Sequence, residues 1–227
     1  MYASAYAASY ALERLRQEHA PGVCALLEQV FPDHLMVRLG SAALREFVRA
    51  YATVEDGLGF VCTHEREVVA FVIGAKNARR FRAEWICRRW APLLWHASRG
   101  LATNPHSLGR TIRNLLPYLS PLRSSSRGEA EVAGGELTPP GTLILLAVDQ
   151  AHRRRGLADR LTDAFLGELA RRSISYARLA VAAANEPALS FHLSRGWQLK
   201  ESYRTPDGDL VYQLIYHLAS VAASCRA

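Results

Sequence analysis

The sequence of 227 residues lacks the long apolar runs and leader-like features that mark membrane and secreted proteins. No apolar run approaches the roughly 20 residues that a helix needs to span a bilayer. The amino-terminal segment has no basic stretch ahead of an apolar core, so we expect no secretory signal. These absences predict a soluble protein that works in the cytoplasm.

The sequence also lacks cysteines at the spacing of a metal site. No two of its four cysteines form a CxxC pair, which is the usual spacing of zinc ligands. Scattered thiols in a chain of this size are typical of a reducing compartment. We therefore expect no resident metal and reduced thiols at Cys24, Cys62, Cys87 and Cys225.

The most informative stretch covers residues 142–172. It opens with a continuous apolar run over 143–148, which is typical of a buried strand. Three arginines and then Gly156 follow that run. Beyond the glycine, apolar residues recur every four positions from Leu157 onward, as they do on one face of a helix. The pattern predicts a strand, a basic loop and a helix in succession.

A basic glycine-containing loop before a helix is suited to binding phosphate. The first N–H groups of a helix have no internal partner and carry partial positive charge, which favours an anion. Gly156 lets the backbone approach that anion, and the arginines add charge and planar donors. The loop has neither the Lys-Ser or Lys-Thr of a P-loop nor the three glycines of the dinucleotide motif. Those two nucleotide-binding classes are therefore not predicted.

The remaining apolar patterns predict a chain of mixed α and β structure. Before the basic loop we expect a short strand near 12–15, helices over 21–31 and 41–52, and a hairpin of strands 58–62 and 68–73. Ser41 is the expected N-cap of the second helix. After the loop and its helix we expect a strand over 177–183, a short helix capped by Asn185 and ended by Gly196, and a hairpin of strands 197–203 and 210–218.

Two motifs in this order resemble the GNAT superfamily of acyl-CoA N-acyltransferases. Arg153-x-x-Gly156-x-Ala158 is similar to the (Arg/Gln)-x-x-Gly-x-(Gly/Ala) signature of the family's pyrophosphate loop. Asn185-x-x-Ala188-x-x-Phe191-His192-x-x-x-Gly196-Trp197 is similar to a second family segment, Asn-x-x-Ala-x-x-Phe-Tyr-x-x-x-Gly-Phe, at its usual distance downstream. The resemblance covers residues 142–218 well and 10–76 loosely.

The resemblance implies an α/β fold. Its central sheet is mixed and mostly antiparallel, with splayed central strands and flanking helices. We expect one acetyltransferase domain over residues 1–227, with a helical basic insertion at 77–141 between the third and fourth core strands. The minimal family fold has no counterpart of this insertion.

The resemblance also implies acetyl-CoA as the co-substrate and places its binding residues. The main chain of 146–148 would pair with the pantetheine arm like an added strand, and an N–H there would face the thioester oxygen. Residues 154–159 would wrap the pyrophosphate beside Arg153, and Asn185 would support the pantetheine arm. The implied cofactor-binding residues are Leu146, Ala147, Val148, Arg153, Arg154, Arg155, Gly156, Leu157, Ala158, Asp159 and Asn185.

Two positions depart from the family's pattern. His192 stands where many members have the tyrosine that protonates the departing thiolate, so it is the candidate catalytic residue. An imidazolium can donate that proton only while it is charged, and a role in packing or substrate contact stays equally open. Ala180 stands where some amine-acetylating members have a glutamate base. Water or another group would then take the acceptor's proton, and the sequence offers Glu84, His64 and His96 without choosing among them.

The insertion concentrates the positive charge of the chain. Residues 77–128 hold ten arginines and one acid, a net charge of +9 in a chain whose total is +7, which leaves −2 for the rest. Tryptophans among these arginines predict an amphipathic helix kinked near Pro92, followed by a helix over 107–116 and a loop over 123–141.

Three interpretations of the insertion stay open. It is a lid that recognises an anionic acceptor, a helix that lies on an anionic membrane surface, or a solvated face with its tryptophans in the core. No nucleic-acid motif accompanies the charge, so nucleic-acid binding is the weaker interpretation.

The sequence therefore predicts an acetyltransferase that moves an acetyl group from acetyl-CoA to an amine of a small, anionic metabolite or sugar derivative. One alternative is an acetyl-CoA-binding sensor without turnover. Another is a protein that acts through its basic insertion at the inner surface of the membrane, as a peripheral partner. The identity of the acceptor within this class and the oligomeric state are not indicated by the sequence.

Overall fold

Residues 10–85 and 139–218, the part of the chain that this computed structural model describes, form seven strands and six helices. The strands are β1 (Ala11–Arg14), β2 (Gly57–His64), β3 (Glu67–Ala75), β4 (Gly141–Val148), β5 (Tyr176–Ala182), β6 (Gln198–Arg204) and β7 (Leu210–His217). The helices are α1 (Ala20–Val30), α2 (Leu35–Arg38), α3 (Ser41–Thr53), α4 (described over 78–85), α5 (Leu157–Arg171) and α6 (Glu186–Ser194). Two short 3-10 turns, Gln17–His19 and Gln150–His152, precede α1 and the basic loop.

The strands pair into one sheet in the order β1-β2-β3-β4-β5-β7-β6. Every neighbouring pair is antiparallel except β4 and β5, which are parallel. These two central strands pair at only two positions, Gly141 with Ala177 and Thr142 with Arg178. This confirms the expected mixed, mostly antiparallel sheet with splayed central strands.

Side chains along each strand alternate between the two faces of the sheet, and both faces are apolar. In β3, Phe71 and Ile73 pack into a core with α1, α3 and α4, whereas Val72 packs into a second core with α5. The four apolar positions predicted for α5 are all buried there. The cleft described below opens where β4 and β5 separate between these cores.

The start of the insertion is part of the first core. Phe81 of α4 stacks on Tyr51 of α3 with ring centroids 4.6 Å apart, and Trp85 meets Phe47 edge-on at 6.2 Å. Arg79 on the same helix is exposed. For residues 78–85 the structure thus agrees with a solvated face whose tryptophan is buried.

The rest of the insertion lies outside the described residues. This applies to the predicted kink near Pro92, the helix over 107–116, and the loop as far as residue 138. The expected boundaries of a single domain stay a prediction for the same reason. Gly141, which we expected in the loop, is instead the first residue of β4.

One expectation about the first helices was wrong, and one short helix was not predicted. The N-cap of α3 is Gly40, at φ +97°, and Ser41 is the first helical residue. Glycine takes this left-handed conformation at no steric cost, which moved the cap by one position. The four-residue helix α2 was also missed, because its start signal is a histidine: the His34 side chain accepts a hydrogen bond from the Met36 N–H at 3.3 Å.

Cys24 and Cys62 are buried free thiols, and burial raises the pKa of each to about 11. They are therefore poor nucleophiles in this structure. Across residues 10–85 and 139–218, no helix combines the length and apolar character that crossing a bilayer requires.

Candidate functional site

A cleft of about 710 Å³ opens where β4 and β5 diverge. Their pairing stops at Thr142, so the edge of β4 beyond it has no strand beside it in the described structure. Main-chain groups on such an edge are available to an extended ligand. The cleft is lined by residues 143–148 of β4, 179–182 of β5, the basic loop with the first turn of α5, the helix α6, and the end of α1.

A bulge in β4 lies inside this cleft. Ile73 pairs with Leu145 and Gly74 pairs with Leu143, which leaves Ile144 as an extra residue. Ile144 and Leu145 consequently pack on the same core although they are adjacent. A bulge re-aims the main-chain groups beside it and is common next to active sites. The bulge was not predicted, since its only signal in the sequence is Gly74 within an apolar strand.

The backbone of the basic loop is shaped for an anion. Arg154 and Gly156 both have positive φ, at 58° and 72°, and α5 starts directly after them. The Arg160 N–H donates to the Gly156 carbonyl at 3.1 Å, and the N–H groups of 157–159 precede this first helical bond. A Cβ added to Gly156 would meet no atom within 4 Å, so the loop is open beside this residue. This fits a phosphate group at the helix terminus.

The three loop arginines point in different directions. Arg153 and Arg154 line the cleft, but Arg155 does not. Its guanidinium donates to the Tyr10 hydroxyl at 2.6 Å and to the Ala151 carbonyl at 3.4 Å. Of the predicted pyrophosphate residues, Arg155 is thus the one whose side chain the fold holds elsewhere.

Asp159 places a negative charge at this otherwise basic mouth, and Arg195 compensates it. Asp159 lines the cleft, and its carboxylate lies 3.4 Å from the guanidinium of Arg195, which also pairs with Asp163. Arg195 follows α6, so this pairing ties the end of α6 to the first turns of α5. No local pattern indicates this role of Arg195, because its partners lie more than 30 residues away in the sequence.

Asn185 caps α6, as predicted. Its side-chain oxygen accepts a hydrogen bond from the Ala188 N–H at 3.3 Å, and both residues line the cleft. The helix α6 therefore begins at the cleft. Gly196, at φ +85°, follows its end.

His192 of α6 is buried on the wall of the cleft, with 5 % of its surface exposed. Its ring lies between Phe191 at 5.1 Å and Trp197 at 5.6 Å, and Nδ1 has no hydrogen-bond partner in the described structure. Burial lowers the pKa of His192 from 6.5 to about 4. At neutral pH only about one molecule in 10³ would then carry the imidazolium.

Comparison with known proteins supports the resemblance stated above. A family model described as "FR47-like protein" matches residues 123–205, a stretch that contains both motifs. Among curated proteins, none matches the chain.

Solved structures share the fold at low sequence identity. The ribosomal-protein-S18-alanine N-acetyltransferase from Escherichia coli is 16% identical, with 92% of this chain and 94% of that chain covered at a TM-score of 0.54. Arabidopsis thaliana NAA60 in complex with acetyl-CoA is 13% identical over 92% and 99%, at a TM-score of 0.55. The polyamine N-acetyltransferase of Drosophila melanogaster is 16% identical over 92% and 99%, at 0.53.

The chain is similar to the GNAT superfamily. Its two motifs, the match to the family model over residues 123–205 and the fold agree on this similarity. One of these structures, that of Arabidopsis thaliana NAA60, was solved with acetyl-CoA, the co-substrate that the resemblance implies. The cleft is compatible with that co-substrate, because the free edge of β4 and the open helix terminus of α5 lie on one continuous surface.

The positions at which the chain departs from the GNAT pattern can be located relative to the cleft. Ala180, in the position of the absent glutamate, lines the cleft on β5. Of the substitute bases considered above, His64 stacks on Tyr10 at 4.7 Å and Glu84 belongs to α4, and neither lines the cleft as described. His96 lies outside the described residues. Within those residues, no group of three or more His, Cys, Asp or Glu side chains is placed to hold a metal ion.

Proposed function

We propose that the protein acetylates a primary amine on a small, anionic acceptor. One observation supports the binding of acetyl-CoA in this proposal. The free edge of β4 and the N-terminus of α5 line the same cleft, so a pantetheine arm and a pyrophosphate would be held by adjoining main-chain groups.

The chain's own residues divide the binding of acetyl-CoA among them. The main chain of Leu146, Ala147 and Val148 pairs with the pantetheine arm as an added strand would. The N–H groups of Leu157, Ala158 and Asp159 hold the pyrophosphate, with Arg153, Arg154 and Gly156 around it. Asn185 supports the arm at the opposite wall. Arg155 contributes through its main chain, because its side chain is bound to Tyr10.

Bound acetyl-CoA supplies an activated acetyl group. In the transfer, the acceptor nitrogen forms a bond to the acetyl carbon, the carbon–sulfur bond breaks, the amine loses a proton and the sulfur gains one. We propose that His192 meets the thioester sulfur as the neutral imidazole and donates a hydrogen bond to it. Its low pKa favours this neutral form over the imidazolium acid expected from the sequence.

We assign the entrance of the acceptor to the part of the cleft lined by Val30 and Phe31 at the end of α1, which belongs to neither coenzyme A motif. The basic insertion supports an anionic acceptor, because guanidinium groups bind carboxylates and phosphates through paired hydrogen bonds. Proteins of this fold named above act on a ribosomal-protein alanine and on polyamines. The acceptor panel of any assay must therefore include peptides and polyamines.

The activity is tested by following thiol release from acetyl-CoA with a panel of anionic amines, peptides and polyamines. Release that depends on an anionic amine supports the proposal. Release with peptides or polyamines alone would overturn the anionic acceptor and keep the enzyme. Binding of coenzyme A without release from any acceptor would instead support a sensor, an alternative favoured by Ala180 in the place of a base.

We predict that Gly156→Glu weakens coenzyme A binding at least about 100-fold. The change places bulk and negative charge before the α5 N–H groups, where an anion gains both hydrogen bonds and the helix dipole. Isothermal calorimetry measures the affinity. Gly208→Glu is the matched control, since Gly208 also has positive φ and open space but lies in the turn between β6 and β7. Equal affinity in folded Gly156→Glu protein would rule out this phosphate site.

A further inference from the structure

Tyr10, directly before β1, makes side-chain contacts with the pyrophosphate loop. Its ring is buried, with 4 % of the residue exposed. Arg155 Nη1 donates to the Tyr10 hydroxyl at 2.6 Å, and the same hydroxyl lies 3.0 Å from Nδ1 of His152. An arginine can only donate, so the tyrosine oxygen accepts from Arg155 and its proton is free to be donated to His152.

The ring and the main chain of Tyr10 also contact the surrounding elements. Its ring stacks on His64 of β2 at 4.7 Å and meets His152 edge-on at 5.7 Å. Its main-chain carbonyl accepts a hydrogen bond from Arg160 Nη2 of α5 at 3.2 Å. One residue therefore binds the 3-10 turn before the loop, the loop itself and the first turn of the helix after it, across 142 to 150 positions of sequence.

The loop between these attachment points has a conformation that needs outside support. Arg154 adopts a left-handed conformation at φ +58°, which costs a non-glycine residue energy. Such conformations persist where surrounding contacts over-determine them. The Arg155 side chain, next in sequence, is fixed by Tyr10 rather than by the cleft. The tyrosine hydroxyl is thus one of the contacts that hold the strained loop against the body of the fold, and it joins the loop to the start of β1.

We propose that Tyr10 is a positioning residue for acetyl-CoA. Through Arg155 and His152 it fixes the loop in the shape that aims the N–H groups of α5 at the pyrophosphate. Fixing a loop before binding lowers the entropic cost of holding the ligand, which improves affinity without new contacts to it. The inference rests on the proposed function of the loop.

The first test is Tyr10→Phe, which keeps the buried ring and its stacking on His64 but removes the hydroxyl. We expect the Kd for coenzyme A to rise about tenfold, the scale of a lost hydrogen bond to a charged group. The KM for acetyl-CoA should rise in parallel, while kcat at saturation stays within about twofold, because the reacting atoms are untouched. Tyr176→Phe, at the start of β5, is the control that loses a hydroxyl elsewhere.

The second test asks whether Arg155 acts through Tyr10. Arg155→Met removes the other half of the contact, and the double variant with Tyr10→Phe completes a thermodynamic cycle. If both residues act through one hydrogen bond, the affinity of the double variant for coenzyme A is no lower than that of whichever single variant has the lower affinity. Additive losses would mean that Arg155 meets the ligand independently, and would overturn the inference.

The binding measurements distinguish a failure of the positioning role of Tyr10 from a failure of the proposed function. Wild-type protein that binds no coenzyme A would overturn the proposed function, and this inference with it. Wild-type protein that binds, together with unchanged affinity in Tyr10→Phe, would overturn the positioning role alone. A lower melting temperature with unchanged Kd would likewise assign Tyr10 to stability only.

Discussion

His192 illustrates how the surroundings of one residue change the chemistry available to it. Its position on α6 came from the sequence motif, but its burial beside Trp197 came from the packing of α6 on the sheet. Burial penalises the charged imidazole and lowers its pKa to about 4. The low pKa of His192 therefore affects both the stability of the protein and its turnover.

We predict that His192 makes the protein less stable as the pH falls from about 6.5 to about 4. The unfolded chain takes up a proton on this histidine in that window and the folded protein does not, so protons favour unfolding. The full effect is about 3 kcal/mol below the folded pKa. Urea unfolding of wild type and His192→Phe at several pH values measures it, and the variant should lose this part of the pH dependence. Parallel curves for the two proteins would contradict the low pKa.

We predict that His192→Phe lowers kcat about 100-fold and changes the KM for acetyl-CoA little, because a donor to the sulfur acts mainly in the transition state. His192→Tyr, which restores a hydroxyl donor, should keep most of the activity. Steady-state kinetics between pH 6 and 8 should show no fall in wild-type kcat from the titration of His192, which is neutral throughout. A tenfold fall per pH unit that the phenylalanine variant loses would instead identify an imidazolium acid.

At the scale of elements, the bulge between β3 and β4 depends on a glycine. A Cβ on Gly74 would lie 2.3 Å from the Thr142 carbonyl oxygen and 2.6 Å from the ring of Phe165. Real atoms do not approach so closely, so a side chain here would push β4 or α5 away. The geometry of the cleft edge therefore requires glycine at this position.

We predict opposite effects for one substitution at two glycines. Gly74→Ala should lower the free energy of unfolding by about 2 kcal/mol or more, because backbone and a buried ring must both move. Gly167→Ala, in the middle of α5 with no atom within 4 Å of the new Cβ, should raise it by about 0.5 to 1 kcal/mol through helix propensity. Chemical denaturation measures both. A neutral Gly74→Ala would show that the β3–β4 pairing tolerates a side chain.

At the scale of the whole molecule, the start of the insertion has a structural role within the described residues. Its first helix, α4, fills the first core through Phe81 and Trp85. The segment beyond it carries most of the arginines and both remaining tryptophans of the insertion. Only this second segment is a candidate for acceptor recognition without a structural role already assigned.

We predict that replacing 88–127 with a short Gly/Ser bridge leaves coenzyme A affinity within about twofold and raises the acceptor KM at least about tenfold. Replacing 79–127 should additionally cost about 3 kcal/mol or more of stability, since it removes two large aromatic side chains from the core. Calorimetry, kinetics and urea unfolding separate the three effects. Unchanged acceptor kinetics in a folded 88–127 variant would contradict the lid, and binding of the wild type alone to anionic vesicles would then favour the membrane surface.

Much of the fold could be predicted from the sequence because its signals are local. The apolar run of β4, the period of α5, the Asn185 cap and the Gly196 stop each depend on neighbours a few positions apart. The two motifs are local as well, and the family resemblance that they carry implied a mixed, mostly antiparallel sheet with splayed central strands. The prediction of Ser41 as the cap was wrong because Gly40, one position earlier, adopts the left-handed conformation and is the N-cap.

Contacts between distant segments decided the rest, and no local pattern encodes them. The bulge at Ile144, the pairing of Arg195 with Asp159, and the attachment of Arg155 to Tyr10 all join parts of the chain that only the sheet brings together. The low pKa of His192 belongs with them, because desolvation depends on everything packed around the ring. The sequence determined which groups are present at this site, and tertiary packing determined their direction and charge.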